Sequence, residues 1–121
     1  MDNVGLGRLG EEEAVRYLKS RGWTILDRNI RAGRKEVDVI ASRGRVVAFF
    51  EVKCRRDWRF GHPLEAITRA KRLEIARVAR SWLQLRTLSP GTLVRFDAIA
   101  VSWPEGSRPE VLHLPDAWRL D

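Results

Sequence analysis

The run Val46-Val47-Ala48-Phe49-Phe50 passes without interruption into Glu51-Val52-Lys53. Consecutive apolar residues leave a strand with no polar face, so such a strand must be covered on both sides, as in a layered α/β domain. The run is far short of the ~18–20 residues that span a bilayer. At positions 51 and 53, charges stand where a fully buried strand is expected to hold valine or isoleucine, and buried charges need partners. A plain Glu/Lys salt bridge where the strand emerges into water supplies them. So does a cluster of charges with a function.

The neighbouring elements decide what that cluster contains. A first helix is expected from about Gly7 to Ser20, stopped by Gly22. Stepping back from Ala14, Val15 and Leu18 by three, four and seven residues lands each time on Glu11, which therefore shares their inward face. Glu11 either favours the positive end of the helix or aims a carboxylate at the edge of the core. Strands are expected over Trp23 to Asn29, Glu36 to Ser42 and Val46 to Cys54, the last two joined as a hairpin through Arg43-Gly44. Alternation puts Glu36, Asp38 and Ile40 on one face of the second strand and Phe49, Glu51 and Lys53 on one face of the third. A two-residue loop sets Asp38 opposite Phe49 and diagonal to Glu51, close enough for the two carboxylates to share an ion.

After the third strand, residues 55–62, Arg-Arg-Asp-Trp-Arg-Phe-Gly-His, form a basic, aromatic loop. Arginines suit phosphates and Trp58 or Phe60 suits unstacked bases, while a loop anchored by one buried aromatic has the same composition. A long helix is expected from Pro63 to about Leu85, with Leu64, Ile67, Lys71, Ile75, Val78, Trp82 and Leu85 at three-and-four spacing. Lys71 interrupts the stripe, its stem passing the core or its ammonium held towards the site. Ser89-Pro90-Gly91 is a turn, Thr92 to Trp103 a strand, Pro104 to Pro109 a loop, and Val111 to Leu114 an edge strand. A zinc site is not expected from Cys54, the single cysteine, which also has no partner for an internal disulfide.

The net charge of +7 is uneven. Residues 1–54 balance at +3, residues 55–86 at +6 and residues 87–121 at −2. A basic middle segment suits a polyanionic partner, because each neutralised phosphate releases a counterion, and it also suits a solvated helix face. With 121 residues, 44% of them hydrophobic, the chain supplies roughly one self-sufficient core. The N-terminus has no basic-then-apolar signal layout, so a cytoplasmic protein is expected.

Asp38, followed after twelve residues by Glu51-Val52-Lys53, resembles the D…(D/E)xK arrangement of the PD-(D/E)XK nuclease superfamily. Gly10-Glu11-x-x-Ala14, Arg28-Asn29, Glu36-Val37-Asp38-Val39-Ile40-Ala41, Phe50-Glu51-Val52-Lys53-x-Arg55, Phe60-Gly61 and Arg95-Phe96-Asp97 resemble, in that order, the bacterial YraN family. That family is similar to archaeal Holliday-junction resolvases. The likeness covers about residues 5–103, and Lys35 stands where the family pattern usually has glycine.

The resemblance implies a restriction-endonuclease-like α/β core, a mixed central sheet flanked by helices in the order α-β-β-β-α-β(-β). One domain over residues 1–121 is expected, with its core at about 5–103 and a peripheral stretch at 104–121. It implies a metal-dependent endonuclease that hydrolyses phosphodiesters in structured or single-stranded DNA during repair or recombination. The catalytic set would be Glu11, Asp38, Glu51 and Lys53. Asp38, Glu51 and the backbone carbonyl of Val52 would hold Mg2+ or Mn2+, with Glu11 completing the site or binding a second ion's water shell. Lys53 would position the attacking water and stabilise charge on the phosphate. Arg55, Arg56, Trp58, Arg59 and Lys71 would hold the nucleic acid, and the protein would act as a homodimer. The competing expectation is a nucleic-acid-binding module or subunit that keeps the fold without cutting.

Overall fold

The apolar run lies at the centre of a five-stranded sheet. The computed structural model describes residues 3–59 and 61–119, so Phe60 lies outside the described residues. Its elements are α1 (Asn3–Ser20), β1 (Thr24–Ala32), β2 (Lys35–Arg43), β3 (Val46–Arg55), a 3-10 turn (Pro63–Ala66), α2 (Arg69–Gln84), β4 (Leu93–Ser102) and β5 (Glu110–Trp118). The sheet order is β1-β2-β3-β4-β5, all neighbours antiparallel except β3 and β4. A parallel pair needs a crossover, and the segment carrying α2 supplies it. The mixed α/β architecture and the element order are those expected.

Each face of the sheet is covered by one helix. Leu6, Ala14, Val15 and Leu18 of α1 pack with Trp23, Val39, Ala41, Ala48, Phe50, Ile99 and Val101. Ile75, Val78, Ala79 and Trp82 of α2 pack with Ile40, Val47, Phe49 and Ala98 on the other face. Phe49 and Phe50 therefore point into different cores, and both are fully buried. Helix α1 lies tight against the sheet at Gly10, where an added Cβ would lie 2.4 Å from the Cβ of Cys54. It ends in a Schellman arrangement: Trp23 N–H donates to Leu18 O and Gly22 N–H to Lys19 O, with Gly22 at φ +87°.

The structure corrects several expectations. The β2–β3 turn is Gly44-Arg45, with Arg43 paired to Val46 and Ile40 to Phe49, so Asp38 does not face Phe49. Gly44, at φ +58°, takes the first turn position, where a positive angle is required. The displacement is two residues, an even number, so the paired residues from Val39 to Arg43 and from Val46 to Phe50 keep their predicted faces. Val37, however, packs in the same core as Ile40, so the strict alternation that set Glu36 on the face of Ile40 fails at the start of β2. The long helix is divided: His62 caps the 3-10 turn, Ile67 is extended, and the Thr68 hydroxyl accepts from Lys71 N–H to start α2 afresh. Leu85 follows the end of α2 and is 82% exposed, outside the apolar stripe. Strand β1 continues past Asn29 to Ala32. Lys35 opens β2, and the turn before it is served by Gly33 at φ +66°. Within the stretch expected to be peripheral, β5 forms a sheet edge and buries Trp118 against Phe96. Among the described residues, no helix is long and apolar enough to cross a membrane.

Candidate active site

Strands β2 and β3 part company at the candidate residues. Their ladder runs from Arg43/Val46 to Val39/Phe50 and stops; one further step would set Asp38 opposite Glu51. Beyond it, β2 stays paired with β1 to Lys35, and β3 stays paired with β4 to Arg55. The sheet therefore opens into a fork. Asp38 bridges it, its Oδ2 accepting from Val52 N–H at 2.8 Å in place of a ladder bond.

On the α2 side of the fork, Glu51 is 3% exposed. Its Oε1 lies 3.3 Å from Lys53 Nζ and 3.9 Å from Lys71 Nζ. Its Oε2 is buried with no hydrogen-bond partner. The Lys71 ammonium is therefore turned towards Glu51. Burial first, and the Asp38 charge second, push the Glu51 carboxyl up to about 7 despite both lysines. Asp38 is also raised, by burial and by Glu36, against the pull of Val52 N–H, Lys71 and Lys53.

Glu11 reaches the fork from α1. Its carboxyl is raised by burial and by Asp38, and lowered by a hydrogen bond with the Asn29 side chain and by Arg28. Its Oε1 is buried without a hydrogen bond, 3.7 Å from Arg28 Nη2. Asp38 thus acts electrostatically on both Glu11 and Glu51. Two residues at this end were given no role from the sequence. Asn29 falls between the Arg28/Val39 and Ile30/Val37 pairs, at the level of Asp38, and has φ +51°. Asparagine tolerates that left-handed conformation better than most residues, which is the signal its identity carried. Glu36 meets Arg31 at 3.6 Å.

The loop candidates are placed differently. Arg55 donates to Cys54 O and lies over the Trp58 ring; Arg56 donates to Trp103 O at 3.1 Å. Half-buried Trp58 donates to Val101 O at 3.4 Å, which anchors the loop on β4, and Arg59 pairs with Asp57. Lys53, Arg55 and Arg56 line a cleft of about 710 Å³ beside Leu6 and Gly7 of α1. The structure therefore brings Asp38, Glu51, Lys53 and Lys71 together at the fork, leaves Glu11 near enough to Asp38 to be raised by its charge, and sets Arg55, Arg56, Trp58 and Arg59 beyond it.

Among the described residues, no three His, Cys, Asp or Glu side chains are gathered to hold a metal ion. The fork offers Asp38, Glu51 and the main chain at Val52, hard oxygen donors suited to magnesium or manganese. The unpartnered Oε2 of Glu51 fits such an ion, since a buried carboxylate oxygen without a donor is otherwise costly.

Residues 10–101 match the family model described as uncharacterised protein family UPF0102. A UPF0102 protein of Geotalea daltonii is 40% identical over 98% of this chain and 93% of its own length. One from Trichlorobacter lovleyi is 41% identical with the same coverages, and one from Caldicellulosiruptor saccharolyticus is 45% identical over 84% of this chain and 85% of its own. None of these descriptions states an activity.

Proposed function

The chain belongs to the UPF0102 family, the YraN family of the sequence resemblance, and we propose that its β2–β3 fork is the site of a metal-dependent nucleic-acid endonuclease. The reaction is hydrolysis of a phosphodiester in structured or single-stranded DNA, of the resolvase-like type. The reading rests on Glu51: a nearly inaccessible carboxylate, one oxygen unpartnered, beside a second raised carboxyl and two ammonium groups. A purely structural salt bridge has no use for the unpartnered oxygen.

Asp38, Glu51 and the carbonyl of Val52 would hold the cation. When bound, Mg2+ or Mn2+ supplies Lewis acidity at a phosphoryl oxygen and makes a coordinated water more acidic. Lys53 orients the attacking water and faces the charge that grows on the phosphate. Lys71 balances the charge of Glu51 and contacts the backbone, and Glu11 supports the metal's water shell. The reach of both ammonium groups to a single oxygen of Glu51 also favours a second reading, a binding module that keeps the fold and does not cut.

Titration of Mn2+ in a calorimeter into the wild type, Asp38→Ala and Glu51→Ala proteins, followed by incubation with branched and single-stranded DNA, separates the readings. Stoichiometric binding lost in both variants, with cleavage that stops in EDTA, is expected. A wild type that binds no metal with or without DNA, yet retains DNA in EDTA, leaves the binding module.

A further inference from the structure

A second cleft, of about 430 Å³, opens on the other flank of α1, between it and β1. Arg8, Glu11, Glu12, Arg28, Asn29 and Arg31 line it. Its cations are incompletely used. Arg28 Nη2 meets Glu12 Oε1 at 2.6 Å on the surface, but its Nε is buried with no acceptor. The Arg31 side chain is 71% exposed and approaches Glu36 only to 3.6 Å. Arg8 is exposed, and no ion pair joins it to another described residue. Exposed ion pairs are worth about 0–1 kcal/mol, so the Arg28–Glu12 pair exchanges readily for a better anion. A phosphate carries acceptor oxygens in several directions and suits guanidinium forks approaching from two walls.

The cleft's position narrows the choice of anion. Glu11 belongs both to this wall and to the fork, while the Lys53–Arg55–Arg56 cleft lies on the opposite flank of α1. A nucleic-acid backbone engaged at the fork would run from one basic cleft to the other across Glu11. Resting on the nuclease-type reading above, we propose that Arg8, Arg28 and Arg31 form a phosphate subsite for the backbone next to the scissile phosphodiester. Asn29, held in its left-handed conformation between two of these arginines, keeps Glu11 turned to the fork while Arg28 turns to the phosphate.

The test is the salt dependence of binding of a fluorescent single-stranded oligonucleotide, in EDTA, by the full chain. Each lost phosphate contact lowers the slope of log K against log salt by about 0.7 for single strands. Arg8→Ala/Arg31→Ala is expected to lower the slope by about 1.4 and to weaken binding roughly tenfold at moderate salt. Arg77→Ala/Arg80→Ala removes the same charge from the exposed face of α2 and is expected to leave the slope unchanged. Equal losses in both double variants, or an unchanged slope in Arg8→Ala/Arg31→Ala, overturn the subsite and leave the nucleic-acid reading standing. A wild type that binds no oligonucleotide overturns both.

Discussion

Two carboxylates are buried on adjacent strands, Asp97 on β4 and Glu51 on β3, and their surroundings differ completely. In the parallel register Asp97 pairs with Phe50 and Glu51 with Ala98, so the two acids face opposite sides of the sheet. Asp97 is fully buried and fully bonded. Arg95 grips both its oxygens at 2.8 Å, His113 Nε2 lies 2.7 Å from Oδ2, and Asp116 N–H donates to Oδ1. Burial alone would raise its carboxyl, but the bonds from His113, Arg95 and Asp116 outweigh it and hold the group below the usual range. Glu51 keeps one oxygen empty and is pushed up to about 7. A saturated acid fastens β4 to β5; an unsaturated one is kept available. Burial by itself therefore does not single out a candidate site; what distinguishes Glu51 from Asp97 is the incomplete satisfaction of its buried charge.

The largest expected effect is at Asp97. Removing it in Asp97→Ala strands Arg95 and His113 and should cost about 3–5 kcal/mol in urea denaturation. Because its folded value is depressed, the acid contributes stability above its unfolded value, and that contribution disappears as pH falls below about 4. Asp97→Asn should flatten this acid limb while Mn2+ binding at the fork persists. A cost under about 1 kcal/mol for Asp97→Ala would dissolve the contrast with Glu51.

The opposite sign is expected at Glu51. Its folded value lies above the ordinary 4.5, so the folded protein holds the proton more tightly, and stability falls as pH rises from about 4.5 to about 7. Glu51→Gln removes that slope and should be more stable than wild type by up to roughly 3 kcal/mol above pH 7, with little difference at pH 4. Parallel denaturation curves for the two proteins across this range would show that the acid is satisfied after all. Smaller still is Gly10→Ala. Its methyl would collide with Cys54 and lift α1 from β3 at a cost of about 1–3 kcal/mol. Because Glu11 follows directly, Mn2+ affinity should weaken while the Asp97 cluster, measured by the acid limb of stability, stays as it was.

The difference between these two regions also explains what the sequence disclosed. Faces were legible along the paired stretch: Ile40 and Phe49 follow from alternation and an even displacement of register left them intact, whereas Val37 joins the core of Ile40 and breaks the alternation at the start of β2. The register itself was not, because it depends on which turn position takes Gly44. The division of α2 escaped the apolar spacing because a cap such as Thr68 changes the backbone without changing the stripe. Of the Asp97 cluster, Arg95 and Asp97 stood in the Arg95-Phe96-Asp97 motif of the resemblance, with nothing there to pair them. His113 was not legible, since the register shift between Phe96 and Ala98 in the β4–β5 pairing, which sets where His113 falls relative to Asp97, leaves no mark in the residue pattern. Asn29 stood in the Arg28-Asn29 pair, but only the φ angle and the Glu11 contact give it a purpose.

The contact between Gly10 and Cys54 has one more consequence. Cys54 is the chain's single cysteine, buried beneath α1, with a thiol raised by that burial. Alkylating reagents need the exposed thiolate, so the sulfur stays silent while helix and strand are in contact and reacts when they separate. The molecule carries its own gauge of how often α1, and with it Glu11, leaves the sheet.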